Sequence, residues 1–196
     1  MTPAVAGLKR RLDGLERERL DLPDFKRAAV LVPLLETEDG LELLYTVRSG
    51  TLSNHAGQIA FPGGRLDDGE DVVTAALRET REEIGVNVSP RDVLGLLHEH
   101  PSPAEYVVTP VVARLDWPQP LTLSSSEVAD VFSVPLKELL TLTPRTEERR
   151  HRSFKRTLHF YDYLQNDPEG ALERVIWGLT GNVTKWVLDL LRKSSG

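Results

Sequence analysis

Apolar residues recur with two different spacings along the chain, one typical of strands and one typical of helices. Two strand-like runs, 27–35 and 41–47, flank Glu38-Asp39-Gly40, which has the composition of a hairpin turn. A third run, 58–61, is stopped by Pro62-Gly63-Gly64, which predicts a tight loop. Further strands are predicted at 93–98, 106–115, 157–164 and 174–179.

Helical periodicity appears in segments between and around these runs. Leu8, Leu12 and Leu15 recur among charged residues and predict a helical decoration over residues 1–22. This helix either packs on the side of the domain or serves as a dimerisation arm. Other helices are predicted at 71–84, which Gly85 ends, and at 135–141 and 182–191. Because strands and helices are mixed without regular alternation, we expect an α+β fold, a mixed β-sheet between helices with an extra N-terminal helix.

Length and composition narrow the class of protein. The 196 residues suit a single domain over 1–196, and the net charge of −6 argues against a non-specific nucleic-acid binder. An anionic substrate would then need local cations or a metal ion. The absence of cysteine excludes disulfides and thiolate zinc sites and fits a reducing cytoplasm. No apolar run approaches the ~20 residues that span a bilayer, so we expect a cytoplasmic protein without membrane or nucleic-acid partners.

The helix predicted at 71–84 separates apolar and acidic residues onto different faces. On a wheel of about 100° per residue, one arc holds Val73, Ala76, Leu77, Thr80 and Ile84. Another arc holds Glu79, Glu82 and Glu83, although like charges so spaced destabilise a helix by roughly 0.2–0.5 kcal/mol per pair. The acidic arc is either a solvated face or a set of hard oxygen ligands. The tight loop upstream can add a backbone carbonyl, and this combination predicts a Mg²⁺ or Mn²⁺ site.

The segment 64–86 resembles the Nudix box, in which Gly, Glu, Arg-Glu, Glu-Glu and Gly-apolar positions follow one another at fixed spacings. The matching positions are Gly64, Glu70, Arg78, Glu79, Glu82, Glu83, Gly85 and Val86. Thr80 replaces the usual aliphatic residue, but it lies on the apolar arc, where its methyl group can pack. The resemblance implies the Nudix fold and hydrolysis of a nucleoside diphosphate linked to another group. It also implies that Arg78 and Glu70 orient the glutamates.

The same resemblance implies how the carboxylates act. Glu79, Glu82 and Glu83 are the implied metal ligands, together with the carbonyl of Gly63. The general base is implied to be Glu79 or a carboxylate from a loop. Glu127 is a candidate for that carboxylate or for a further ligand. The alternative for Glu127 is an ordinary charge at the start of a helix.

Upstream of the box, the sequence resembles the coenzyme A diphosphatase subfamily of Nudix enzymes. The matching stretches are Leu43-Leu44, Thr46-Val47-Arg48-Ser49 and His55-Ala56-Gly57-Gln58-Ile59-Ala60-Phe61-Pro62-Gly63-Gly64. This resemblance implies hydrolysis of coenzyme A to 4′-phosphopantetheine and adenosine 3′,5′-bisphosphate. Arg48, His55, Gln58 and Gly64 are the implied contacts to substrate or phosphate. For Arg48 the alternative is a surface charge at a strand end, and for His55 a loop histidine.

The segment 145–156 is the most basic stretch of the chain. A solvated loop is the favoured interpretation, and a contact to the 3′-phosphate of coenzyme A is the alternative. Two other functions stay open. One is hydrolysis of ADP-ribose or another dinucleotide, since specificity in one fold varies with its loops. The other is a nucleotide sensor without turnover, which the retention of every carboxylate in the box disfavours.

Overall fold

The computed structural model describes residues 1–50, 57–152, 154–167 and 170–192. The helices are α1 (Pro3–Asp13), α2 (Val72–Ile84), α3 (Leu136–Leu139) and α4 (Gly178–Arg192), with a 3₁₀ turn at Pro90–Asp92. The strands are β1 (Lys26–Thr37), β2 (Gly40–Arg48), β3 (Ile59–Ala60), β4 (Gly63–Arg65), β5 (Val93–Leu96), β6 (His100–Pro101), β7 (Tyr106–Leu115), β8 (Val128–Pro135), β9 (Arg145–Arg150), β10 (Lys155–Asp167) and β11 (Gly170–Ile176). Among these residues, no helix is long and apolar enough to cross a membrane.

A mixed sheet forms the centre of the molecule, with β1 as its middle strand. β1 pairs in parallel with β7 and antiparallel with β2 and β4. β2 also pairs with β3 and β8, and β7 with β5 and β6. The predicted hairpin between β1 and β2 is confirmed, because Thr37 pairs with Gly40 across the turn.

Alternate residues of β1 pack on opposite faces of this sheet, as expected for a strand buried on both sides. Val32 and Leu34 belong to a core cluster that includes Val5 and Leu8 of α1 and Val183 and Val187 of α4. Ala29, Leu31 and Leu35 belong to a second cluster with Ala75, Ala76 and Ile84 of α2. The sheet therefore lies between helices, which confirms the predicted α+β fold.

The predicted extent of the N-terminal helix, 1–22, is wrong. Helix α1 ends at Asp13, and the Gly14 N–H bonds to the Arg10 carbonyl at its end. The following residues bond to the segment after β5 instead. The Arg17 side chain donates to the Leu97 carbonyl, and the Leu20 N–H donates to the Glu99 carboxylate. These contacts between distant segments outweigh the helical periodicity that Leu15 continues.

Two segments predicted as loops are strands. Gly63–Arg65 pairs with β1 as β4, because its glycines allow a close approach to that strand. A side-chain carbon on Gly63 would lie 2.3 Å from the Ala29 carbonyl oxygen. The basic segment predicted as a solvated loop forms β9 and the start of β10, within a second sheet ordered β11-β10-β9. Strand β8 was not predicted.

Candidate active site

Helix α2 carries the predicted acidic arc, and both of its ends are fixed. The Asp71 carboxylate accepts from the Val73 and Thr74 N–H groups at 2.9 and 3.1 Å, which caps the start. Gly85 ends the helix in the left-handed conformation, at φ 75°, where glycine is favoured. The predicted helix and its ending at Gly85 are confirmed. Thr80 is buried and its hydroxyl donates to the Ala76 carbonyl, so this departure from the box is satisfied within the helix.

Arg78 joins the carboxylates of this region. It donates to both oxygens of Glu70, at 3.0 and 2.9 Å. Its Nη1 group donates to Glu79 at 2.9 Å and to Glu82 at 3.2 Å. The hydrogen bond from Arg78 lowers the pKa of Glu70. Arg78 therefore contacts Glu70, Glu79 and Glu82 at once, a position from which an arginine can orient carboxylates.

The Glu79 carboxyl packs directly on Gly64. A side-chain carbon on Gly64 would lie 2.5 Å from the carboxyl carbon of Glu79, so only glycine leaves room for the carboxyl in this position. The Glu79 side chain keeps only 20% of its surface exposed. Its burial raises the pKa of Glu79, and the hydrogen bond from Arg78 opposes that rise. The first glycine of the box thus positions a carboxylate.

Glu83 is the most deeply buried carboxylate of α2, with 7% of its surface exposed. It accepts from the Gly63 N–H at 3.2 Å, and burial raises its pKa to about 7. Gly63 lies opposite Val30, and the hydrogen bond next to this pair runs from the Leu31 N–H to the Pro62 carbonyl. Gly63 and Val30 are therefore a non-hydrogen-bonded pair of the antiparallel ladder. In such a pair, the N–H and C=O groups of each residue point away from the partner strand. The Gly63 carbonyl is thus directed to the same side as its N–H group, towards α2.

These groups line a cavity of about 1120 Å³, hereafter the acidic cavity. Its wall includes Gly63, Gly64, Glu79, Glu83 and Glu127. The structure therefore brings three predicted carboxylates to one cavity, with Glu127 contributed from the segment before β8. Glu82 does not line the cavity, and half of its side chain is exposed. As these side chains stand, the described residues contain no group of three or more acidic or histidine side chains close enough to hold a metal.

A second cavity of about 700 Å³, hereafter the basic cavity, adjoins the first. Both cavities are lined by Arg48, Gly63, Gly64, Arg65 and Tyr106. The walls of the basic cavity also carry Gln58 of the predicted substrate contacts, three arginines of the second sheet and two aromatic rings. These last five are Arg149, Arg150, Arg156, Phe154 and Trp177.

Arg48 lies at the border of the two cavities, beside a bulge near the end of β2. Its Nε atom is buried and has no hydrogen-bond partner among the described residues. A buried guanidinium N–H without a partner is costly, so an acceptor from a ligand would be favoured here. The predicted contact His55 lies outside the described residues.

Several lining residues escaped sequence reasoning. Arg65 and Tyr106 line both cavities, and Phe154 and Trp177 line the basic one. Arg65 directly follows Gly64, the first matched position of the box, so its place in the sequence could have marked it as a candidate site residue. Phe154 and Trp177 come together only because β10 pairs with β9 and β11, which local patterns do not reveal.

Comparison with known proteins adds sequence relatives over most of the chain. A family model described as the NUDIX domain matches residues 25–158. The human protein named mitochondrial coenzyme A diphosphatase NUDT8 is 43% identical over 169 residues, covering 84% of this chain and 69% of that protein. An uncharacterized Nudix hydrolase, NudL, of Cronobacter sakazakii is 38% identical over 165 residues, covering 82% of this chain and 80% of that protein.

A similar fold occurs among solved structures. A MutT/nudix family protein from Enterococcus faecalis superposes with a TM-score of 0.56 and 18% sequence identity. The match covers 91% of this chain and 65% of that one, so this chain spans less than two thirds of that protein's length. This likeness concerns the fold alone.

Proposed function

The chain belongs to the Nudix family, and from that premise we propose that it hydrolyses coenzyme A at the diphosphate bridge. The products would be 4′-phosphopantetheine and adenosine 3′,5′-bisphosphate. Nudix enzymes cleave phosphoanhydrides of small nucleotide-linked molecules. Within that class of substrates, the choice of coenzyme A is the proposal. The name of the 43% identical human relative supports this choice, as does the coenzyme A diphosphatase motif around Arg48 and Gln58. The cytoplasmic location stays a prediction.

The observation that carries the proposal is the junction of an acidic and a basic cavity. An acidic wall suits a cation that bridges to phosphate oxygens, and a basic wall suits further negative charge on the same ligand. Arg48, Gly63 and Gly64 line both cavities. A diphosphate placed at this border would lie beside Glu79 and Glu83. It would also lie beside the Arg48 Nε atom, which has no hydrogen-bond partner in the part of the chain that the structure describes. Coenzyme A carries both a diphosphate and a separate phosphate monoester.

The family's use of divalent metals fits the donors found here. Glu79, Glu83 and Glu127 offer hard carboxylate oxygens around one cavity, and the Gly63 carbonyl is directed to the same side as the N–H that bonds Glu83. We propose that these groups hold Mg²⁺ or Mn²⁺, joined by Glu82 once its carboxylate leaves Arg78. Such an ion supplies charge neutralisation at phosphate oxygens and a deprotonated water at neutral pH.

The protein's own groups then have separate tasks. Arg78 keeps Glu79 turned towards Gly64, and Glu70 keeps Arg78 in place. Glu79 or Glu127, the two candidate bases, would also accept the proton of the attacking water. Arg48 would donate to phosphate oxygens that gain charge as the bridge breaks. In this arrangement the water would attack phosphorus from the side of the carboxylates, while Arg48 binds the phosphate oxygens.

Gly64→Ala is expected to lower kcat by ~10–100-fold with little loss of stability. The added methyl group requires the Glu79 carboxyl to move, and a misplacement of about 1 Å can cost about a hundredfold in rate. The clash involves the end of a flexible side chain, so the free energy of unfolding should change by less than about 1 kcal/mol. Steady-state kinetics and thermal melts measure the two effects.

Gly7→Ala is the matched control, because a side-chain carbon there meets no atom within 4 Å. That variant should keep the wild-type kcat. Wild-type kcat in a folded Gly64→Ala protein would show that contact with Gly64 does not position Glu79.

The main alternative is hydrolysis of ADP-ribose, and a substrate series separates the two. Values of kcat/KM are measured for coenzyme A, 3′-dephospho-coenzyme A and ADP-ribose with Mg²⁺ or Mn²⁺. We expect coenzyme A to rank first, ~10–150-fold above the dephospho form, as for a charge-assisted contact worth about 1.5–3 kcal/mol. If ADP-ribose has the highest kcat/KM, the proposed substrate is wrong. If all of these substrates bind without turnover, the chain is a nucleotide sensor.

A further inference from the structure

Arg156 is a partly buried cation on the wall of the basic cavity. Several other basic side chains of the same sheet have carboxylate partners. Arg145 pairs with Asp162 at 2.8 Å, and Arg149 pairs with Glu147 at 3.0 Å. Among the described residues, Arg156 has no such partner. Burial without a counter-ion is unfavourable for a charge, and it lowers the pKa of Arg156.

The fold holds the Arg156 side chain in place. Its Nη1 group donates to the Pro101 carbonyl at 2.5 Å and lies 3.5 Å from Nδ1 of the buried His100. Its guanidinium carbon lies 5.3 Å from the centre of the Phe154 ring, within the range of a cation–π contact. These contacts occupy Nη1 and one face of the guanidinium group. The remaining N–H donors of the fork have no protein acceptor within the described residues.

The strand that carries Arg156 is also anchored to the core. The Asn182 side chain of α4 accepts from the His159 N–H at 3.0 Å and donates to the Thr157 carbonyl at 2.9 Å. Both residues follow Arg156 in β10. The position of this cation therefore does not depend on a loose loop. An arginine held in this way presents a rigid fork suited to a phosphate group.

We infer that Arg156 recognises a phosphate monoester of the substrate, separate from the diphosphate that is cleaved. Arg156 lines only the basic cavity, whereas the carboxylates line only the acidic one. A ligand whose diphosphate lies at the shared border extends past Arg48 to reach Arg156. The inference rests on the proposed function, and in coenzyme A the group is the 3′-phosphate. Arg150, exposed and also without a carboxylate partner in the described chain, lies on the same wall.

The test compares coenzyme A with 3′-dephospho-coenzyme A in the full chain. Arg156→Gln is expected to remove most of the ~10–150-fold preference in kcat/KM for coenzyme A. Arg156→Lys keeps the charge but loses the fork, so its preference should be intermediate. The control is Arg152→Gln, which removes an exposed cation from the segment between β9 and β10. Arg152 lines neither cavity, so this variant should keep the wild-type preference.

A binding measurement separates this inference from the proposed function. Without metal, calorimetry is run with adenosine 3′,5′-bisphosphate and with adenosine 5′-monophosphate. Arg156→Gln should weaken the first by ~10-fold or more and should change the second little. An unchanged preference and unchanged bisphosphate affinity in the variant would overturn the role of Arg156. If wild type does not cleave coenzyme A, the proposed function fails, and calorimetry still decides on Arg156.

If circular dichroism shows that Arg156→Gln does not fold, the Arg156→Lys variant tests the role of Arg156 instead. A folded Arg156→Lys protein with the full wild-type preference and bisphosphate affinity would overturn the recognition of phosphate through the guanidinium fork. A reduced preference, with Arg152→Gln unchanged, would support it.

Discussion

Glu79→Gln is expected to lower kcat for coenzyme A by ~10²–10⁴-fold, which corresponds to roughly 3–5 kcal/mol of transition-state stabilisation. The carboxylate lines the acidic cavity, packs on Gly64 and is turned there by Arg78. Glutamine keeps the size of the side chain but loses its charge and its ability to accept a proton. The free energy of unfolding should stay the same or rise slightly, because a negative charge near Glu82 and Glu83 is removed.

Rapid-quench or steady-state kinetics and thermal melts measure both effects. Glu38→Gln is the matched control, since it makes the same chemical change in the exposed turn between β1 and β2. That variant should keep wild-type kinetics. A loss below tenfold in Glu79→Gln would mean that Glu79 touches neither the metal nor the reacting atoms.

Removal of divalent cations is expected to abolish turnover altogether. The chain carries a net charge of −6, and Glu79, Glu83 and Glu127 surround the place where a polyanion would have to be cleaved. Without a cation, these carboxylates repel the diphosphate, and the attacking water lacks the metal ion that would lower its pKa towards neutral pH. Activity is measured in excess chelator and again after Mg²⁺ or Mn²⁺ is added back.

A direct measurement of metal binding tests the same prediction without relying on turnover. Calorimetric titration of Mn²⁺ into the wild-type chain should give a binding isotherm that weakens in Glu83→Gln and Glu79→Gln. The Glu38→Gln control should bind like wild type. Full hydrolytic activity in excess chelator would rule out the metal-assisted reaction.

The elements with strong local patterns could be predicted from the sequence. Helix α2 has a capping aspartate, a separated apolar arc and a terminal glycine, and its bounds match the prediction within a residue. The hairpin of β1 and β2 follows from two mostly apolar, strand-like runs on either side of the turn residues that end at Gly40. In both cases the information lies in one short, continuous stretch of the chain, which is where periodicity and turn chemistry act.

Elements set by contacts between distant segments could not be predicted in this way. All residues of β9 are exposed, so the strand has no apolar alternation, and its pairing with β10 alone defines it. The segment after α1 is held by contacts of Arg17 and Leu20 to residues 97–99, more than 70 positions away. Strand β8 is a different case. Val128, Phe132 and Val134 are buried at strand spacing, a signal that the sequence did contain.

The carboxylates show the same limit at the level of single side chains. The helical wheel places Glu79, Glu82 and Glu83 on one arc, but it does not show which of them the sheet covers. Glu83 lies against β4 and is buried, whereas half of the Glu82 side chain is exposed. The cationic half of the site depends on strand pairing, so Arg156 was visible in the sequence only as part of a basic stretch.

The identity of the products tests the central proposal most directly. Coenzyme A is incubated with the full chain and Mg²⁺ or Mn²⁺, and the products are identified by mass spectrometry. We expect equal amounts of 4′-phosphopantetheine and adenosine 3′,5′-bisphosphate, with neither formed in excess chelator. Intact coenzyme A under conditions in which ADP-ribose is cleaved, or release of inorganic phosphate with 3′-dephospho-coenzyme A, would contradict hydrolysis at the diphosphate bridge of coenzyme A.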